Sequence, residues 1–243
     1  MDRTWSPQLL ARSTGALLLI SMVFGAFGEM YVPDMLLVAT NAGATATNIM
    51  QHQTLFRIGF VSYTIEGLCD AALTALLYLL LRPAGRELAL IALLLRIVST
   101  AAFAASEFFY FGAFSILRAT YLTAIPHDQV NALALLFLRL YGSSGSVPTL
   151  FYGVALILLG RLVFVSGYLP RWLGALLAFG GLSTTAEMLL LIAAPTYATD
   201  YLLLPMMVGM LALALWLLFT GVNVPNWQKQ AAAIGPQLAG AVT

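Results

Sequence analysis

Six stretches of this chain are too long and too apolar to have water as their solvent. They run roughly from 13 to 32, 54 to 81, 87 to 117, 130 to 160, 172 to 194 and 201 to 222. A helix needs about 20 mostly apolar residues to cross a hydrocarbon core, so each stretch is long enough to span. Backbone groups have no water to bond in lipid, and continuous apolar runs of this length satisfy them as helices rather than strands. Composition agrees. Only 9% of the 243 residues are charged and 61% are hydrophobic, whereas a soluble domain carries about 25% charge. A soluble globule is excluded, and the expected fold is an all-α bundle of six transmembrane helices.

An even number of spans puts both ends of the chain on one side. Arg3, Arg12, Arg82, Arg86, Arg161, Arg171 and Lys229 fall on the side of the termini, and Arg118 lies in an opposite-side loop. Basic residues are retained on the cytoplasmic face, so both termini are expected there. Trp5, Trp172 and Trp227 suit the aromatic belt of that face. The first stretch exceeds the roughly 7 to 15 residues of a cleavable signal core and reads as a retained span. Residues 1–222 form one membrane domain in this reading. Residues 33–53 are an external connection without apolar periodicity, and 223–243, opening Asn223-Val224-Pro225-Asn226-Trp227, are a frayed cytoplasmic tail.

Several functional classes lack their residues. Eleven Lys and Arg against ten Asp and Glu give a net charge of +1, with no basic stripe for nucleic acid. Cys69 stands alone, so it forms no intrachain disulfide and no cysteine-based metal site. His52 and His127 fall in external connections, and Pro126-His127-Asp128-Gln129 reads as a helix start rather than a ligand set. No HExxH helix, Gly-rich phosphate loop, GxSxG elbow or paired-cysteine motif occurs. No metal and no cofactor are expected.

Three segments carry a family resemblance. They are Thr45-Ala46-Thr47-Asn48-Ile49 followed by Leu55-Phe56-Arg57, Cys69-Asp70 through Leu77-Tyr78-Leu79-Leu80-Leu81-Arg82-Pro83, and Ser166-Gly167-Tyr168-Leu169-Pro170-Arg171-Trp172-Leu173-Gly174. Together they resemble a bacterial multi-pass membrane family catalogued as a domain of unknown function. The resemblance implies six helices and a bacterial inner membrane. It brings no activity and no site residues.

Function must therefore be read from charge placed where charge is expensive. An ionisable side chain in a membrane helix costs about 2.5 to 3.5 kcal/mol on insertion scales and usually marks a pair, a cavity or a pathway. Glu29, Glu66, Asp70, Glu107 and Glu187 fall within or at the edge of the spans, with Arg57, Arg96 and Arg139, a formal sum of −2. That excess favours protonated carboxyls or a bound cation. Asp70 lies 12 residues before Arg82, and Arg96 lies 10 after Arg86. At 1.5 Å per residue the two share a depth on antiparallel neighbours, so Asp70 and Arg96 are expected to pair. Arg139 and Glu187 are a second expected pair.

Tyr63, Glu66 and Asp70 follow the three- and four-residue spacing of one helical face, and Arg96 and Glu107 lie 11 apart on another stripe. The segment Gly142-Ser143-Ser144-Gly145-Ser146-Val147-Pro148 interrupts the fourth span, and such a break survives in lipid only against protein or a wet cavity. With Ser183, Thr184 and Thr185 it is expected to line a polar pocket. Phe103, Phe108, Phe109, Tyr110, Phe111 and Phe114 read as core and interface filling.

Two functions fit. The first is an acid/base enzyme acting on an amphiphilic or lipidic, for example isoprenoid, substrate. Glu66 and Glu107 would exchange protons, while Arg57, Tyr63, Asp70, Arg96, Arg139, Ser143 and Glu187 hold the ligand. The second is a proton- or cation-coupled transporter or sensor using the same carboxylates. Both take membrane lipid and a small amphiphilic or cationic molecule as partners.

Overall fold

The computed structural model describes residues 6–240, with side chains to 233. Arg3 and Trp5 lie outside them, as do residues 241–243 of the tail. Among the described residues every regular element is helical. Helix α1 (Pro7–Gly25) continues through a π-helical turn (Ala26–Tyr31) into the short α2 (Val32–Leu36). Next come α3 (Ala42–Gln51), α4 (Gln53–Leu81), α5 (Arg86–Leu117), α6 (His127–Ser144), α7 (Ser146–Val165), α8 (Arg171–Ala193), α9 (Leu204–Leu215) and α10 (Val224–Gly240). Six helical segments are long and apolar enough to cross a membrane: Pro7–Leu36, Gln53–Ala84, Arg86–Leu117, His127–Val165, Arg171–Ala193 and Asp200–Thr220. The six expected spans are all present, several of them longer than the hydropathy pattern indicates.

Two expected irregular segments are helical instead. Much of the 33–53 connection folds into α3, because Asn41 caps it, its Oδ1 accepting from the Ala44 N–H at 2.9 Å. Thr45 then ties α3 to the preceding strand of chain, accepting from Val38 N at 2.9 Å and donating to Val38 O at 3.1 Å. The tail forms α10 rather than fraying. Trp227 Nε1 donates to Leu80 O at 2.9 Å, Asn226 Nδ2 donates to Gly167 O at 3.0 Å, and Asn223 N donates to Tyr168 O. The polar side chains of α10 anchor it to carbonyls that α4 and the α7–α8 turn leave open.

The chain divides into two compact units, residues 1–19, 70–99 and 146–243 in unit one and residues 20–69 and 100–145 in unit two. In unit one, α7 and α8 pack backbone to backbone. A β-carbon on Gly181 would come within 2.6 Å of Gly153 O, and one on Gly160 within 2.7 Å of Gly174 O. Gly153 and Gly160 are seven residues apart, as are Gly174 and Gly181, so the antiparallel notches interlock twice, two helical turns apart. The turn joining these helices has Gly167 at φ +65°, where a side chain is strained. It also buries Tyr168, whose Oη donates to Leu80 O at 2.9 Å. Burial pushes the Tyr168 phenol above the usual tyrosine range.

Unit two is held by aromatic packing. Phe56 stacks on Tyr110 with centroids 4.2 Å apart and planes 5° from parallel, and Val32, Ile49, Phe114 and Leu138 complete its core. Outside these cores the long apolar side chains face outward. Phe108 is 78% exposed and Leu68 68%, values that suit a lipid-facing surface and no aqueous one.

Candidate functional site

Two departures from regular helix shape unit two. Pro33 has no N–H to offer the Glu29 carbonyl four residues earlier, and the chain around Glu29 opens into the π-helical turn Ala26–Tyr31. Such π-turns recur at functional sites. At the second departure, Pro148 likewise offers nothing to the Ser144 carbonyl. The Ser143 and Ser144 hydroxyls bond back to Leu140 O at 3.1 Å and Tyr141 O at 2.7 Å, and α6 ends at Gly145. The expected interruption of the fourth span is therefore real and is centred on residue 145.

Within unit two these departures border a cavity of about 190 Å³, walled by Glu29, Phe103, Ser106, Tyr141, Gly142 and Gly145. Glu29 stands exposed at its rim. Tyr141 belongs to a triangle of tyrosines: its ring centroid lies 5.5 Å from that of Tyr63 and 5.4 Å from that of Tyr110, and those two are 5.3 Å apart, all edge to face. The Tyr141 hydroxyl lies in the electrostatic field of Glu29, Glu107 and Glu66, and Glu107 also lies in that of Glu29. Glu66 rests against Gly25, where a β-carbon would come within 2.5 Å of its Oε1. Tyr63, 2% exposed, has a hydroxyl with no hydrogen bond of ordinary geometry. A buried hydroxyl left so costs about 1–3 kcal/mol.

Glu66 and Glu107 act on Tyr141 through their charge, more weakly than Glu29 does, and the side chains walling the cavity are Glu29, Phe103, Ser106 and Tyr141 rather than Glu66 and Glu107. Of the expected ligand-holding residues, Tyr63 belongs to this cluster. Arg57 is exposed and lies over the Phe114 ring at 5.2 Å. Arg139 donates from Nη2 to Ala39 O at 2.6 Å. Ser143 is turned back to its own helix. Glu29, Tyr141, Phe103 and Ser106 were absent from the expected site. The spacing held a signal for the tyrosines: Tyr63 precedes Glu66 by three residues, Tyr110 follows Glu107 by three, and Tyr141 stands immediately before the Gly-Ser break.

The other expected residues do structural work in unit one. Asp70 and Arg96 come together as their matched depth requires, Arg96 Nη2 lying 3.6 Å from Asp70 Oδ2. Arg96 is 2% exposed. Its Nε donates to Thr74 Oγ1 at 3.0 Å, and its guanidinium lies over the Tyr152 ring at 4.8 Å. Glu187, expected opposite Arg139, is equally buried; its Oε2 accepts the Thr199 N–H at 3.0 Å and fastens the α8–α9 connection. Ser183 donates to Leu202 O in the same connection. Thr185 packs on Gly153, and the Oγ1 atoms of Thr184 and Thr185 are buried without hydrogen bonds. These hydroxyls serve helix packing and are not walls of the cavity. Among the described residues no group of three or more His, Cys, Asp or Glu could hold a metal ion.

Six apolar helices with this surface define a multi-pass helical membrane protein. The chain belongs to the family described as Domain of unknown function (DUF4386), whose model matches residues 13–221. An uncharacterized protein of Archaeoglobus fulgidus is 32% identical over 120 residues, which cover 47% of this chain and 59% of that relative. This chain thus spans under two thirds of the relative's length. No solved structure matches.

Proposed function

We propose that this protein binds a proton or a small cation at the carboxylates around Tyr141, as a proton- or cation-coupled transporter or sensor of a bacterial cytoplasmic membrane. The observation that carries this reading is the cavity itself, with Glu29 and Ser106 in its wall and Glu66 and Glu107 in the electrostatic neighbourhood of its tyrosine. Carboxylates in a low dielectric gain from an added positive charge, whether proton or ligand. Cavity size supports the same choice. About 190 Å³ falls short of the roughly 300 Å³ where drug-sized sites begin, a volume that suits a proton, a small cation or a headgroup. Acid/base turnover by Glu66 and Glu107 would need such a headgroup as its substrate. The basic residues Arg82, Arg86, Arg161, Arg171 and Lys229 support an orientation with both termini on the cytoplasmic side.

Reconstituted protein should take up protons or a cation in a manner that Glu29→Gln, Glu66→Gln and Glu107→Gln each reduce, while thermal unfolding stays near wild type. Uptake unchanged in all three variants overturns the reading.

A further inference from the structure

The walls of the cavity discriminate between kinds of cation. A bare divalent ion takes six or more oxygen ligands, and much of this lining supplies none. Phe103 presents only an aromatic ring, Tyr141 a ring with a single hydroxyl, and Gly142 and Gly145 have no side chain, so with Glu29 and Ser106 the side chains fall short of six oxygens. An ammonium group asks for something different: a carboxylate and the faces of aromatic rings within about 6 Å, with little need for a closed shell of oxygens. Glu29 supplies the carboxylate, Phe103 and Tyr141 the rings. Ser106 already donates to Ala102 O at 3.0 Å, so its hydroxyl has only lone pairs left to offer a ligand, and an N–H can use them.

The two glycines make room for such a ligand. A β-carbon on Gly145 would lie 3.6 Å from Phe103 Cε1, so the glycine leaves the ring uncovered. One on Gly142 would meet nothing within 4 Å. Position 142, in the cavity lining, therefore accepts a side chain without a clash.

We propose that the cavity walled by Glu29, Phe103, Ser106 and Tyr141 recognises an organic ammonium group in preference to a metal cation. The proposal rests on the carboxylate-centre reading above and assigns its ligand class. The ammonium belongs either to a soluble amine or to a lipid headgroup, since both present the same charge and C–H surface.

The test uses the full chain in phosphatidylglycerol nanodiscs and calorimetric titration with ethylammonium, tetramethylammonium, sodium and potassium chlorides at matched ionic strength. At least one ammonium salt should bind saturably, and at least tenfold more tightly than sodium or potassium. Glu29→Gln, Phe103→Leu and Gly142→Ile should each weaken ammonium binding about tenfold or more. Phe103→Leu removes the ring face and keeps an apolar side chain, and thermal unfolding of each variant separates lost binding from lost fold. Sodium, potassium or proton binding that depends on Glu29, with no ammonium binding, overturns this inference and leaves the carboxylate-centre reading standing. No binding of any cation or proton overturns both. Ammonium binding that ignores Glu29→Gln and Gly142→Ile places the ligand elsewhere and also overturns the inference. In nanodiscs containing phosphatidylethanolamine, a loss of apparent affinity for the soluble salts identifies the lipid headgroup as occupant, and unchanged affinity identifies a soluble amine.

Discussion

Unit one and unit two solve the problem of polar groups in lipid differently. In unit one the charged side chains are locked into local partners: Arg96 against Asp70, Thr74 and the Tyr152 ring, and Glu187 on the Thr199 N–H. Its helices approach through paired glycines until backbones touch. In unit two the helices are separated by rings, the tyrosine triangle and the Phe56–Tyr110 stack, and one carboxylate, Glu29, lines a cavity. Close glycine packing leaves no volume for a ligand, whereas rigid rings meeting edge to face leave gaps between them. Under the proposed function, unit one serves as scaffold and unit two carries the binding.

The largest effect should come from breaking the buried pair in unit one. Arg96→Met leaves Asp70 without its cation and should cost about 3–5 kcal/mol, of which Asp70→Asn in the same chain should restore a large part. Chemical unfolding of the two single variants and the double variant in detergent measures the coupling. Additive effects would remove the ion pair from the scaffold.

Next in size is the glycine notch. A β-carbon on Gly174 would lie 2.6 Å from Gly160 O, which is backbone and cannot move aside as a side chain can. Gly174→Val should destabilise by about 3 kcal/mol, the upper part of the usual range for overpacking. Gly142→Ile in unit two, where the β-carbon meets open space, should leave the unfolding midpoint nearly unchanged. Equal losses at the two positions would erase the contrast between packed and open units.

A smaller effect is expected at Tyr168, and it depends on pH. Its folded pKa is raised above the unfolded value near 10 by burial. The folded state therefore holds the phenolic proton more tightly, and the resulting stability is fully present below about pH 10 and lost as pH rises toward the folded pKa. Tyr168→Phe should cost about 0.5–1.5 kcal/mol at neutral pH through the lost bond to Leu80 O, and it should flatten the alkaline decline. Stability scans from pH 7 to pH 11 check both slopes.

The smallest effect is expected at Tyr63 in unit two. Its hydroxyl is buried without an ordinary hydrogen bond, so Tyr63→Phe removes a desolvated group and should be neutral or slightly stabilising. A loss above about 1.5 kcal/mol in the unfolding assay would show that this hydroxyl is already engaged in the folded protein.

Six spans, an all-helical fold and the Asp70–Arg96 contact follow from the chain alone. Hydropathy runs and the 1.5 Å rise per residue are local quantities, and two charges at one depth on consecutive antiparallel helices have few other partners. The break near Gly145 follows for the same reason, since Pro148 removes a bond within its own helix. Which carboxylate faces a cavity is not a local quantity. Glu29 reached the wall through a π-helical turn that shifts its direction relative to α1, and a periodicity of 3.6 residues cannot anticipate an inserted residue. The helicity of α3 rests on a local cap, Asn41 on the Ala44 amide, and on Thr45 meeting Val38 seven residues back, a signal that hydropathy does not carry, whereas α10 is fastened by Trp227 finding the Leu80 carbonyl far away in sequence. Likewise Arg139 and Glu187, a sensible pair by charge and depth, found the Ala39 carbonyl and the Thr199 amide, each a backbone group of a connection within its own unit. Depth and charge narrow the partners of a buried group, and helix rotation, set by packing over the whole bundle, selects among them.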